Sequence, residues 1–158
     1  MSKQDSLKFT STSCSFCQIV SGEKGSCVVF EDATSFGFLD HRPVFPGHCL
    51  LLPKDHYETL ADLPDTLISD LFRNVQLLAR AVELGLQADG SFVAVNNRVS
   101  QSVPHMHVHV VPRRKKDGLK GFFWPRNPYK DQAAMAEIQA QLRSAIAKIQ
   151  SEAVPSGG

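Results

Sequence analysis

The chain has 158 residues and a mass of 17.4 kDa, with 42% hydrophobic and 21% charged side chains, the makeup of one globular domain with a real core. Seventeen Lys and Arg against sixteen Asp and Glu leave a net charge of +1, so no broad field draws the chain to nucleic acid or to a membrane surface. No apolar run approaches the roughly 18 to 20 residues needed to span a bilayer.

Residues 1–13 are polar, lack the apolar stretch of a secretory signal, and read as a flexible leader. A cytoplasmic location is the expectation. In that reducing setting Cys14, Cys17, Cys27 and Cys49 are not expected to form disulfides. Residues 14–150 read as a single domain, and 151–158 as a disordered tail.

Short strands are predicted over 27–30 and 35–39, joined by the turn-prone Glu31-Asp32. A third, over 48–52, is entered through Pro46-Gly47 and closed by Pro53. A helix follows, with Asp62 as its cap and Leu67, Ile68, Leu71, Phe72, Val75, Leu78, Ala79 and Val82 at helical spacing up to Gly85. Two more strands, over 91–96 and 105–111, precede a second helix capped by Asp131 and lined by Met135, Ile138, Leu142, Ala145 and Ile149. Cys27 and Cys49 fall in predicted strands and read as small buried hydrophobes. Strands, helix, strands, helix, with hairpin-length connections early on, predict an α+β fold with an antiparallel sheet.

Chemistry concentrates in His105-Met106-His107-Val108-His109-Val110-Val111, which holds half of the six histidines at i, i+2 and i+4. Side chains alternate along a strand, so the imidazoles share one face, about 6.6 Å apart, while Met106, Val108 and Val110 bury the other. Three unpartnered imidazoles are costly to bury, which argues for a working row. Such a row suits a catalytic zinc with a bound water, or an imidazole that is itself the nucleophile. Gln101 and Ser102, uncharged donors beside the row, favour the nucleophile acting on a phosphate.

The run 105–111 resembles the signature of the histidine triad family, His-φ-His-φ-His-φ-φ with φ apolar, at every position. Phe38-Leu39-Asp40, Pro46-Gly47-His48 through Pro53-Lys54, Asn96 and Gln101-Ser102-Val103 resemble its other blocks, in order, over roughly 14–113. The resemblance implies a five-stranded antiparallel sheet with two main helices, in a homodimer. It also implies a hydrolase or nucleotidyl transferase that cleaves at the α-phosphate of a purine nucleotide. The substrate would be a nucleoside phosphoramidate, an adenylated compound or a dinucleoside polyphosphate. A phosphorylase, or a binding module with little catalysis, is the alternative.

In that reading His107 attacks phosphorus and forms a nucleotidyl-histidine, with its second ring nitrogen bonded to the His105 carbonyl. His109, Ser102, Gln101 and Asn96 bind phosphate oxygens, and His48 sits beside the row. Asp40 holds the ribose hydroxyls, while Ile19, Phe30 and Phe38 form a base slot. One branch of the family completes a structural zinc site on its Cys-x-x-Cys pair with two histidines, here Cys14, Cys17, His56 and His105. A redox pair or two free thiols are the rival readings of Cys14 and Cys17. The turn Asn97-Arg98-Val99-Ser100 departs from the family's Gly-rich turn and adds a cation, Arg98, near the expected phosphates. Arg113-Arg114-Lys115-Lys116 reads as a solvated face or a phosphate clamp, and Trp124 as a dimer anchor or core.

Overall fold

A computed structural model describes residues 13–119 and 127–153. The chain forms two compact units, 1–118 and 119–158. The first opens with a short helix, α1 (Ser15–Val20), and continues through β1 (Val28–Glu31), β2 (Ser35–Leu39) and β3 (Cys49–Pro53). A 3-10 turn (Leu60–Asp62) leads into α2 (Asp65–Leu86), followed by β4 (Gly90–Val95) and β5 (Val108–Arg113). The strands make one sheet in the order β1-β2-β3-β5-β4, every neighbouring pair antiparallel. The expected α+β architecture with five antiparallel strands is borne out.

Alternation along the strands separates two cores. Cys49, Leu51, Val108 and Val110 point to one face, with Met106, and pack on Leu71, Val75, Leu78 and Val82 of α2. Those four helical positions recur every three or four residues, which is why one stripe of α2 is buried. On the opposite face Phe36, Phe38, Leu50 and Leu52 pack on Cys14, Phe16 and Ile19 of the α1 segment. Leu51 and Leu52 are fully buried on opposite faces. Each such side chain contributes about 1.5–3 kcal/mol relative to exposure. The imidazole row belongs to the α1 face, because Met106, Val108 and Val110 occupy the other.

Several connections differ from the sequence expectation for physical reasons. Asp62 does not cap α2. Its carboxylate turns back to accept the Thr59 N–H and hydroxyl at 2.9 and 2.6 Å, closing the 3-10 turn, and α2 starts after Pro64. The helix runs past Gly85 and ends at Gln87 in the left-handed region, φ +52. There Arg114 donates to the Leu86 and Gln87 carbonyls at 2.5 and 2.6 Å, filling acceptors that a helix end leaves open. Cys27 is exposed, not buried, because it precedes edge strand β1, whose Val28 and Val29 also face solvent. Cys49 is buried as expected.

In the second unit α3 (Gln132–Ala153) starts where Asp131 accepts the Ala134 N–H at 2.8 Å. It runs to Ala153, into the segment expected to be a tail. Most of the expected leader, the end of the tail, and Trp124 lie outside the described residues.

Candidate active site

Strand β3, β5 and the loops around them place the row. Leu50 pairs with His109 across β3 and β5, and Ala94 pairs with it from β4, so the third imidazole sits in mid-sheet. Ladder pairing of β5 begins only at Val108. The preceding His105-Met106-His107 is held by other bonds. The Met106 N–H donates to the Tyr57 carbonyl at 2.6 Å, and His105 Nε2 donates to the Pro53 carbonyl at 2.8 Å.

His107 is buried, and its Nδ1 lies 2.6 Å from the His105 carbonyl. A carbonyl only accepts, so Nδ1 carries the proton and Nε2 keeps a lone pair. Phe16 packs edge-on against the ring, centroids 5.0 Å apart at 87°. Burial holds the His107 pKa below the ordinary imidazole value, against the opposing pull of the His105 carbonyl and Asp40. At neutral pH the ring is uncharged.

His109 is fixed from its other side. The Val44 N–H donates to His48 Nδ1 at 3.2 Å, which puts the His48 proton on Nε2. That nitrogen lies 3.0 Å from His109 Nδ1 and donates to it, so His109 carries its proton on Nε2. Asp40 Oδ2 stands 3.6 Å from His48 Nδ1, too far for a hydrogen bond, and Val44 holds that position. Burial, then the His107 and His48 rings, push His109 down to about 4; burial likewise lowers His48. The rings of His107 and His109 are 4.9 Å apart. One therefore offers a lone pair and its neighbour an N–H donor.

The far end of the row is a different kind of centre. Cys14, Cys17, His56 and His105 bring one sulfur or nitrogen each to within 4.8 Å of one another. His105 Nδ1 lies 3.6 Å from Cys14 Sγ and 3.5 Å from Cys17 Sγ, and His56 Nδ1 lies 3.4 Å from Cys17 Sγ. Zn–S of about 2.3 Å and Zn–N of about 2.0 Å in a tetrahedron give S···N edges of roughly 3.5 Å. The cluster fits zinc. The His105 Nε2–H, bound to Pro53, leaves the Nδ1 lone pair facing the sulfurs, as a metal ligand requires. Burial and the neighbouring Cys14 push the Cys17 thiol up to about 11.

The other expected residues are placed as follows. Asp40 borders the row: its backbone N–H donates to the His48 carbonyl, and its Oδ1 accepts the Arg42 N–H at 2.9 Å. Ile19 and Phe38 lie together on the α1 face, whereas Phe30 packs on the opposite face with the α2 core. Phe30 is therefore not part of that slot. Asn96 is half-buried at the end of β4. Gln101 braces its loop, donating to the Glu58 carbonyl at 2.6 Å and accepting the Arg98 N–H at 2.8 Å. Ser102 is exposed and lines a cleft beside Cys14 and His56. The Arg98 charge helps hold the Asp62 carboxyl below its ordinary value, after the stronger Thr59 hydroxyl bond. Arg113 forms a paired ion bridge to Asp117 at 2.6 and 3.0 Å, and with Arg114 on the α2 end this basic run is largely a clasp.

Sequence reasoning missed Phe16, which stacks on two imidazoles from inside the Cys-x-x-Cys spacing. An aromatic there was the available signal. It also missed the carbonyls of Pro53 and Tyr57 and the Val44 N–H, which no side-chain pattern reveals. A single metal on all three triad histidines is disfavoured: their Nδ1 atoms face the cysteine cluster, a carbonyl and His48 respectively.

Comparison with known proteins identifies the family. The HIT domain matches residues 21–116. A HIT-like protein of Mycobacterium tuberculosis is 37% identical over 140 residues, covering 85% of this chain and 94% of its own. An adenosine 5'-monophosphoramidase of Candida albicans is 32% identical over 89% of this chain and 95% of its own. A zinc-bound histidine triad family protein of Mycobacterium smegmatis is 39% identical, with a TM-score of 0.65 over 84% of this chain and 97% of its own. Among the described residues, no helix is long and apolar enough to cross a membrane. The matched segment runs from the end of α1 to just past β5, which is the whole sheet with its row of imidazoles, and the chain belongs to the HIT family.

Proposed function

We propose that the protein is a nucleotide hydrolase that cleaves at an α-phosphorus through a nucleotidyl-histidine on His107. The observation that carries this reading is the 2.6 Å bond from His107 Nδ1–H to the His105 carbonyl, which leaves Nε2 as the only nucleophilic nitrogen of that ring. Attack by that lone pair forms the P–N bond as the bond to the leaving group breaks. The imidazole then bears positive charge, which the His105 carbonyl steadies through Nδ1–H. Water attacks the same phosphorus, the P–N bond breaks, neutral His107 returns, and the proton that the water loses to solvent replaces the one that the departing amine took from it.

His109 Nε2–H donates to a phosphate oxygen where negative charge builds up. Ser102, the second amide hydrogen of Gln101, and Asn96 serve the same oxygens. Asp40 Oδ2 accepts from the ribose, and Ile19 and Phe38 receive a purine. Cys14, Cys17, His56 and His105 hold a structural zinc, which fixes the position of His105. The similarity to a monophosphoramidase makes an adenosine phosphoramidate the first substrate to try.

The test is turnover of adenosine 5'-phosphoramidate by the parent and His107→Ala, quenched in alkali because a P–N bond to imidazole is lost in acid. We expect the parent to accumulate an adenylylated peptide spanning 105–113. The variant should lose it, with kcat down by about four orders of magnitude or more, the scale of losing a nucleophile. Equal turnover by the two proteins would end the nucleophile role.

A further inference from the structure

The metal end of the row is not sealed. A cleft of about 320 Å³ opens onto it, with Cys14, Ser15, His56, Glu58 and Ser102 among its walls. Two of the four cluster residues thus face a solvent-filled space, and Cys17 is half-exposed beside them. The cluster is reachable from this cleft.

We propose that Cys14 and Cys17 are an oxidisable pair whose conversion to a disulfide, by a peroxide entering this cleft, detaches His105 from its anchor and misaligns the His107 nucleophile. The proposal rests on the zinc reading above. Cys14 stands at the start of α1 and Cys17 in its first turn, where the Gln18 N–H donates to the Cys14 carbonyl at 3.1 Å. Positions three apart on a helical turn lie side by side, the arrangement in which Cys-x-x-Cys pairs pass between thiol and disulfide. Both sulfurs lie within 3.6 Å of one atom, His105 Nδ1. Cys27 and Cys49 stand outside the cluster.

The chemistry balances with peroxide as the oxidant. One thiolate attacks a peroxide oxygen, giving a sulfenic acid and releasing hydroxide. The second thiolate attacks that sulfur, the S–S bond forms, and a second hydroxide leaves. Two electrons have passed from the sulfurs to the peroxide, and the two hydroxides take two protons from the buffer to leave as water. A disulfide cannot hold zinc as two thiolates do.

The link to catalysis is short. His105 spends its carbonyl on His107 and its ring on the cluster. Residues 105–107 lie outside the β5 ladder. With the cluster undone, the segment keeps its bonds to the Pro53, Tyr57 and Val103 carbonyls and the buried Met106, none of which fixes the His105 Nδ1 side. Losing an outer partner of this type lowers activity by about 10- to 100-fold.

The experiment uses the full chain carrying Cys27→Ser and Cys49→Ala, so that any disulfide is between Cys14 and Cys17. Hydrogen peroxide is added stepwise. Released zinc is read with a chromogenic chelator, the disulfide by peptide mass, and the His107 Nδ1–H by nitrogen-proton correlation. Turnover is followed in parallel. We expect zinc release, disulfide formation, loss of the Nδ1–H signal and at least a tenfold fall in turnover to follow one curve. All should return with a thiol reductant and added zinc. The proposal fails if the disulfide forms and zinc leaves while the His107 signal and turnover hold. It also fails if turnover is lost with both thiols still reduced. Untreated protein that carries no zinc refutes the metal reading itself, a result read before any peroxide is added.

Discussion

At one end of the imidazole row His105 is gripped by two sulfurs, a second imidazole and the Pro53 carbonyl; at the other, His109 Nδ1 rests on a single bond from His48. The first holds the fully buried His105, beside a cleft that reaches Cys14 and His56, and is tied to elements far apart in the chain. The second borders Asp40, is partly open, and hangs on one backbone N–H, that of Val44. The two ends share the middle ring, His107. The contrast teaches that one end sets where the proposed nucleophile sits and the other sets what the neighbouring ring can donate. Damage to each should be read by a different instrument.

The sharpest way to break the contrast is at the open end. His109→Ala should lower kcat on the phosphoramidate by about 100- to 1000-fold, the cost of one donor to developing charge. Its melting temperature should fall by less than that of a metal-end variant, since the half-buried ring leaves only the buried His48 Nε2–H without its partner. A comparable fall in melting temperature would show that both ends are structural.

At the buried end the order reverses. His56→Ala should purify without zinc, lose about 10- to 100-fold in turnover, and melt about 5–10 °C lower. That range corresponds to roughly 2.7 kcal/mol of binding linkage at 2–4 °C per kcal/mol. Metal analysis with calorimetry checks it, and an unchanged melting temperature would place the cluster outside the fold's support.

The smallest expected effect is on acidification. An ordinary imidazole would be about three-quarters protonated at pH 6. Burial puts His109 at about 4, so that ring stays neutral there, and holds His107 below the ordinary value, so kcat/KM should fall by less from pH 7.5 to 6 than the roughly fourfold expected of an ordinary imidazole. The stability consequence has a definite sign. His109 takes a proton more readily unfolded than folded, so its contribution is complete above about pH 6.5 and is lost as pH falls toward about 4. A kinetic limb centred near 6.5 would contradict the burial of the row.

The row and the metal cluster were legible because they are written in side chains. Alternation of His105, His107 and His109 with Met106, Val108 and Val110 fixes a face, and Cys-x-x-Cys fixes a spacing. What stayed hidden depends on backbone groups and on chain ends meeting. Nothing in Arg114 announces that it closes the end of α2, or in Asn97 that its side-chain Oδ1 accepts the Leu60 N–H at 2.9 Å. Gln101 looked like a phosphate donor, yet most of its bonding goes to its own loop. Cys27 looked like core because an edge strand carries the same composition as a central one.

Met106, Val108 and Val110 are each 0% exposed, interleaved with the imidazoles, and this makes parity a property of the segment. Adding or removing one residue between His105 and Val110 would exchange the two sets, driving rings into the α2 core and aliphatic groups into the reaction space. The exposed stretch 97–100 imposes no such rule. Natural or engineered variation in length should therefore collect in that loop and stop abruptly at His105.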